Sequence, residues 1–193
     1  MDDQKLCAIS VDLDPLTSYY EIHGLGDPPR QVRQTILKNA LPRFEELLDE
    51  LGVRATFFVV GRELEASSEA RQILGRMADA GHEIANHTFT HPYDLNSLPE
   101  QVIDQEIRKA HQAVIDTLGK QHAPVGFRAP GYFINAKVLQ VLERHDYRYD
   151  SSMFPSPPYY LAKTAVMAGM ALLVVVGSNL NNTSVMMPPV LSA

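Results

Sequence analysis

With 193 residues and 45% hydrophobic side chains, the chain has enough apolar content for one globular domain and is too apolar to be disordered over most of its length. A formal charge of −6, with Lys and Arg scattered rather than clustered, excludes nucleic acid as the expected partner, because phosphate binding needs a basic face. The single cysteine, Cys7, excludes an intrachain disulfide framework and reads as a small buried residue of an apolar run.

Met1-Asp2-Asp3-Gln4-Lys5 shows no basic segment leading into a long apolar one, so no secretory signal and a cytoplasmic location are expected. Residues 165–176 are strongly apolar but fall short of the roughly 20 needed to cross a bilayer, so no membrane partner is expected. Residues 6–11 then read as a buried strand ending in Asp12-Leu13-Asp14. Carboxylates at i and i+2 on a strand point the same way, which leaves two readings open: a cation or proton between them, or a solvated loop. Residues 15–29 read as a loop, long for a strand-to-helix connection, carrying Tyr19, Tyr20 and His23.

Apolar residues at three- and four-residue intervals predict a helix over 31–51 that ends at Gly52, with Pro42 starting or kinking its second half. A strand over 54–61, a helix over 67–80 closed by Gly81, and a short strand over 83–86 follow. That strand delivers His87-Thr88-Phe89-Thr90-His91. Two imidazoles four residues apart can converge on one ion if the backbone between them turns as a helix or tight loop. In a chain with seven histidines the spacing also arises by chance, and a catalytic zinc needs a third ligand and an open position. His82 and Tyr93, flanking the pair, read as structural.

Downstream, a helix over 99–118 begins with Pro and is followed by Gly119, and a strand over 124–127 leads into Arg128-Ala129-Pro130-Gly131-Tyr132. A helix over 135–145 and a strand edge over 147–150 complete the pattern. Alternating strands and helices imply parallel strands with right-handed crossovers, and ligands gather at the carboxyl ends of such strands. Asp12 with Asp14, His87 with His91, Arg128 to Tyr132, and Asp150 all fall at such ends.

With these residues assembled, the chain resembles the polysaccharide deacetylases of carbohydrate esterase family 4, the NodB-homology domain, over roughly residues 6–160. Ser10-Val11-Asp12-Leu13-Asp14 looks like the first motif, Thr-Phe-Asp-Asp, with one residue inserted between the acids. His87 to His91 matches the second, His-(Ser/Thr)-x-x-His, in full. Phe127-Arg128-Ala129-Pro130-Gly131-Tyr132 is similar to the third, Arg-x-Pro-Tyr, with one extra residue. Asp150-Ser151-Ser152-Met153-Phe154 looks like the fourth, with Phe for Trp.

The resemblance implies an α/β fold: a distorted (β/α) barrel of about seven strands, incomplete at the C-terminus. It implies a divalent metal, most often zinc, on Asp14, His87 and His91, with Asp12 as general base. Arg128 would orient Asp12, Asp150 would hold Arg128, and the backbone N–H of Gly131 or Tyr132 would meet the oxyanion; Tyr132 also counts among the catalytic residues. The expected function is removal of N-acetyl groups from an amino-sugar or polysaccharide, with hydrolysis of small cyclic or linear amides, or metal binding without turnover, as alternatives. The expected partner is therefore a small-molecule or carbohydrate substrate, and a homo-oligomer is compatible with the sequence. The domain is assigned to 1–160 and an atypical or truncated C-terminal segment to 161–193. No counterpart of the family's fifth motif, Leu-x-His, follows Tyr160, which points first to a truncated or altered C-terminus and otherwise to an acid drawn from elsewhere, for example His23 or His111.

Overall fold

Five strands lie side by side in sequence order in one parallel sheet of the computed structural model: β1 (Ile9–Leu13), β2 (Ala55–Val59), β3 (Glu83–Asn86), β4 (Gly126–Phe127) and β5 (Tyr149–Asp150). The structure describes residues 7–29, 32–33, 35–153 and positions 156, 158, 161–162 and 164–165. The chain divides into a unit Met1–Phe154, which holds the whole sheet, and a unit Pro155–Ala193. In the second, positions 158, 161–162 and 164–165 have helical backbone and are exposed. The predicted segment 161–193 otherwise lies outside the described residues.

Parallel neighbours cannot be joined by a tight hairpin, so each pair needs a crossover, and helices supply it. Helices α1 (Leu16–Ile22) and α2 (Leu41–Leu51) lie between β1 and β2, and α3 (Gly61–Ala66) and α4 (Ser68–Asp79) between β2 and β3. Helix α5 (Glu100–Leu118) joins β3 to β4, and α6 (Ala136–Arg144) joins β4 to β5. Sequence signals place several ends: the Ser67 side chain accepts from the Ala70 amide at the start of α4, and that of Asn135 from the Val138 amide at the start of α6.

The register decides which strand residues meet the site. Val11 pairs with Phe57 and Phe57 with Ile84, while Leu13 pairs with Val59. Because side chains alternate, this row shares one face, where it joins Leu48, Leu74, Met77 and Val114 of the helices in the larger core. The smaller core gathers Ile103 and Ile107 of α5 around Phe127 of β4 and Val138 and Val141 of α6. Ser10 and Asp12 pair with Thr56 and Phe58, which pair with Glu83 and Ala85, so the opposite face is largely polar.

Several expectations need correction. The loop predicted over 15–29 contains α1, and α3 was not foreseen; both are short and lack the long apolar periodicity by which helices are read. The helix predicted over 31–51 is divided, with a π-helical turn at Ile36–Ala40 ahead of α2. Pro42 has no N–H for the regular ladder, and the Leu41 amide before it reaches back to Ile36. Cys7 is exposed, not buried, because it precedes the first paired residue of β1. The α/β expectation holds, with five parallel strands among the described residues. No helix among the described residues is long and apolar enough to cross a membrane.

Candidate metal and catalytic site

The ladder runs one residue past the strands and so delivers the site's backbone. The His87 amide donates to Val59 O at 3.0 Å, the Arg128 amide to Asn86 O at 3.1 Å and the Ser151 amide to Phe127 O at 2.8 Å. His87, Arg128 and Ser151 therefore leave three adjacent strands side by side. Between His87 and His91 the chain is a tight loop in which Thr88 and His91 both have φ 65°. Positive φ at a β-branched residue costs about 1–3 kcal/mol and persists only where the surroundings over-determine it.

The surroundings do. Asn86 Oδ1 accepts from the Thr88 amide at 2.8 Å, and Thr88 Oγ1 from the His91 amide at 3.1 Å. Glu106 of α5 takes the amides of Phe89 at 3.0 Å and Thr90 at 2.7 Å, plus the Thr90 hydroxyl at 2.9 Å. With the His87 bond, all amides from 87 to 91 are engaged. On the other side, the Gly61 and Arg62 amides donate to Thr88 O at 3.0 Å and Phe89 O at 3.1 Å. Gly61 is required there: a Cβ would stand 2.8 Å from the Ala110 Cα and 2.9 Å from the Phe89 ring.

Asp14, one residue beyond β1, faces both imidazoles. Its Oδ1 lies 3.1 Å from Nε2 of His87 and 3.1 Å from Nε2 of His91. One ligand atom from each of the three residues lies within 4.8 Å of the others. His87 donates from Nδ1 to the Arg128 carbonyl at 2.6 Å, which leaves the lone pair on Nε2. His91 is 4% exposed, and neither of its ring nitrogens makes a well-aligned hydrogen bond among the described residues, the approach to Asp14 being close but off-line. A buried imidazole without a hydrogen-bond partner among the described residues has the character of a metal ligand. Burial works to raise the Asp14 pKa, but the two imidazoles against it outweigh burial and hold the carboxyl well below the usual carboxylate range. Two nitrogens and an anionic oxygen, with the Asp14 side chain 44% exposed, suit a divalent ion with an open coordination side.

Asp12 stands on the polar face behind this triad. Arg128 Nη1 donates to its Oδ1 at 2.6 Å and the Tyr132 hydroxyl to its Oδ2 at 3.0 Å. Three further donors of the guanidinium are engaged: Nη2 donates to Ser10 Oγ at 3.0 Å and Ser151 Oγ at 2.7 Å, and Nε to Ser151 O at 3.1 Å, while Cζ lies 4.1 Å from the centroid of the Phe58 ring. The expectation that Asp150 holds Arg128 is corrected. Asp150 sits in β5 with its side chain on the opposite face, where it accepts from the Ser152 hydroxyl at 2.5 Å and the Ser152 amide at 3.1 Å. Ser152 Oγ in turn takes the Ala129 amide at 2.8 Å, so Asp150 braces the segment after Arg128 at one remove. Of the two candidate oxyanion donors, the Tyr132 amide closes a turn on Ala129 O at 3.0 Å. Gly131 and Tyr132 adopt φ 65° and 66°, a double left-handed turn that directs the tyrosine hydroxyl back to Asp12.

The other histidines serve elsewhere. His82 accepts the Ala55 amide at 3.1 Å and is structural, as expected, and the Tyr93 ring packs edge-on against His91 at 5.0 Å. His111 bonds the Tyr147 hydroxyl at 3.1 Å, which in turn accepts from Asn86, and the His23 ring lies 4.3 Å from that of Tyr19, tilted by 57°. Sequence reasoning missed Glu106, Asn86, Ser10 and Ser151 as parts of the site. Ser151 stands in the fourth motif and Asn86 directly before His87, so local signals existed for both. Nothing local marks Glu106.

Residues 28–149 match the sequence profile described as Polysaccharide deacetylase. A peptidoglycan deacetylase of Helicobacter pylori is 27% identical over 165 residues, 83% of this chain and 54% of that protein. A chitin deacetylase of Pestalotiopsis sp is 33% identical over 97 residues, 50% of this chain and 32% of that one. Among solved structures, a Mycobacterium smegmatis protein assigned to the polysaccharide deacetylases is similar with TM-score 0.66 at 28% identity, covering 81% of this chain and 54% of that one. The chain spans about half, or less, of the length of the curated relatives it matches.

Proposed function

The chain belongs to the polysaccharide deacetylase family, and we propose that it hydrolyses the N-acetyl groups of an amino-sugar or polysaccharide substrate, using a divalent ion, zinc first, on Asp14, His87 and His91. The observation that supports this most is the convergence of three ligand atoms within 4.8 Å beside a strand whose Asp12 is gripped by Arg128 and Tyr132. We extend the reading to a distorted barrel of about seven strands, of which the five described strands in sequence order would be an arc.

An ion at this site supplies Lewis-acid polarisation of the acetamide carbonyl and a more acidic water. The chain supplies the rest. His87, with Nδ1 tied to Arg128 O, presents Nε2 in one tautomer and one ring orientation. Each Asp12 oxygen accepts one hydrogen bond and keeps a further lone pair, so the carboxylate takes the proton of an attacking water without releasing Arg128 or Tyr132. Arg128 keeps the carboxylate from rotating, because its other donors are tied to Ser10 and Ser151. The half-exposed side of Asp14 leaves an approach for substrate.

The test is acetate release by the zinc-loaded chain from N-acetylglucosamine oligomers and peptidoglycan fragments, run beside ring opening of small cyclic amides. Metal-dependent acetate release, reduced by about 10²–10⁴ in Asp12→Asn with zinc retained, is the expected result. Turnover confined to cyclic amides would move the substrate class. Zinc binding with no turnover on any of them would leave metal binding alone.

A further inference from the structure

We propose, on the metal reading above, that Glu106 is a positioning residue: its carboxylate sets the loop between His87 and His91 so that both imidazoles meet one ion. The loop holds two non-glycine residues at positive φ, a shape that a free segment of this sequence does not keep. Its ends are pinned to a single turn of α5. Asn86, next to His87, donates from Nδ2 to the Ile107 carbonyl at 2.9 Å. Phe89 and Thr90, next to His91, donate their amides to Oε2 of Glu106 at 3.0 and 2.7 Å, and the Thr90 hydroxyl donates to Oε1 at 2.9 Å. Three hydrogen bonds to one charged acceptor are the strongest restraint on the second half of the loop.

That turn is a firm reference. Ile103, Ile107 and Ala110 of α5 are fully buried, and they flank Glu106 at helical spacing on the edge of the buried stripe. The Asn86 contact therefore fixes where His87 starts and Glu106 fixes where His91 ends. The His87 bond to Arg128 O and the Thr88 bond to the His91 amide lie at one end of the loop or inside it, and the Gly61 and Arg62 amides hold the carbonyls of Thr88 and Phe89, so the restraint on Thr90, next to His91, comes from Glu106. Without Glu106, two amides and a hydroxyl turn to water and the second imidazole loses its fixed distance from the first.

The experiment measures zinc affinity by chelator competition and the visible spectrum of the cobalt-substituted chain, for the unaltered protein, Glu106→Ala, Glu106→Gln and Thr90→Ala. Gln keeps an oxygen for both amides and an NH₂ that the Thr90 hydroxyl can accept from, so it rescues. Expected are a loss of about ten- to a hundredfold in zinc affinity with an altered cobalt spectrum for Glu106→Ala. Glu106→Gln should stay within about threefold of the unaltered chain, and Thr90→Ala should lose about two- to tenfold, one hydrogen bond. A merely structural role lowers the unfolding temperature but leaves the affinity and cobalt spectrum of the folded chain unchanged. Unchanged zinc affinity and spectrum in Glu106→Ala overturn the proposal alone. If Glu106→Ala does not fold, an unchanged Thr90→Ala does the same. A Glu106→Gln variant as weak as Glu106→Ala also overturns it, because geometry would then not be what the side chain supplies. No zinc binding by the unaltered chain overturns the metal reading, and this proposal with it.

Discussion

Replacing Arg128 with Met tests the electrostatic frame of the site. The Arg128 side chain is 10% exposed and that of Asp12 17%, so removing the guanidinium strands a largely buried carboxylate with only the Tyr132 hydroxyl. Breaking a buried ion pair from one side costs about 3–5 kcal/mol, because the remaining charge is left without its partner. Met keeps the apolar stem, and the lost guanidinium contact with Phe58 is common to both Arg128 variants and cancels in the cycle. Asp12→Asn keeps an oxygen facing Arg128 Nη1 and loses only charge assistance, about 1–2 kcal/mol. In the double variant no carboxylate is stranded, so its cost should fall short of the sum of the single costs by about 2 kcal/mol or more. Urea unfolding of the metal-free chain, with the slope checked for constancy across all four proteins, measures the cycle. Additivity within about 0.5 kcal/mol would refute the reasoning, since it would mean that Asp12 does not depend on Arg128.

Gly61→Ala places a methyl against the Ala110 backbone and the Phe89 ring, and should destabilise the chain by about 1–3 kcal/mol while weakening zinc binding through displacement of the ligand loop. Thermal unfolding and zinc titration check it, and an unchanged melting temperature would contradict the close approach. Burial, then the charge of His145, hold the His111 imidazole below its usual pKa. The folded chain therefore resists this proton: the stability from neutral His111 is fully present above about pH 6.5 and is lost as pH falls through the folded-state value. Unfolding free energy of the metal-free chain should decline from about pH 7.5 to 5, less steeply in His111→Gln, and identical slopes in the two proteins would refute the assignment.

Much of the fold is legible because burial imposes periodicity. Ile103, Ile107, Ala110 and Val114 recur at helical spacing and mark α5, and the short apolar runs that become β2 and β3 carry turn residues at their ends. Elements without that signature were misread: α1 has one buried residue, Ser18, and α3 buries only Gly61 and Leu64. In the site, Asp14, His87, His91, Asp12, Arg128 and Tyr132 come together as expected, since each lies at or just past the carboxyl end of a strand. Asp150 was misplaced because strand parity, not proximity in sequence, decides its face. A one-residue step turns Ser151 toward Arg128 and Asp150 away from it.

The sequence by itself determined the strand and helix alternation, the spacing of the two histidines and the supply of acids and one arginine at strand ends, because these follow from local periodicity and residue chemistry. Only the tertiary structure decided that β1, β3 and β4 stand close enough for Asp14 Oδ1 to lie 3.1 Å from both imidazoles and for Arg128 to reach Asp12. Those contacts span 73 to 120 residues of chain, and the parallel register that sets them is a property of neighbouring strands rather than of any one segment. The same holds for Glu106. Its place beneath the histidine loop comes from the packing of α5 against the sheet, and no spacing within residues 87–106 reveals it.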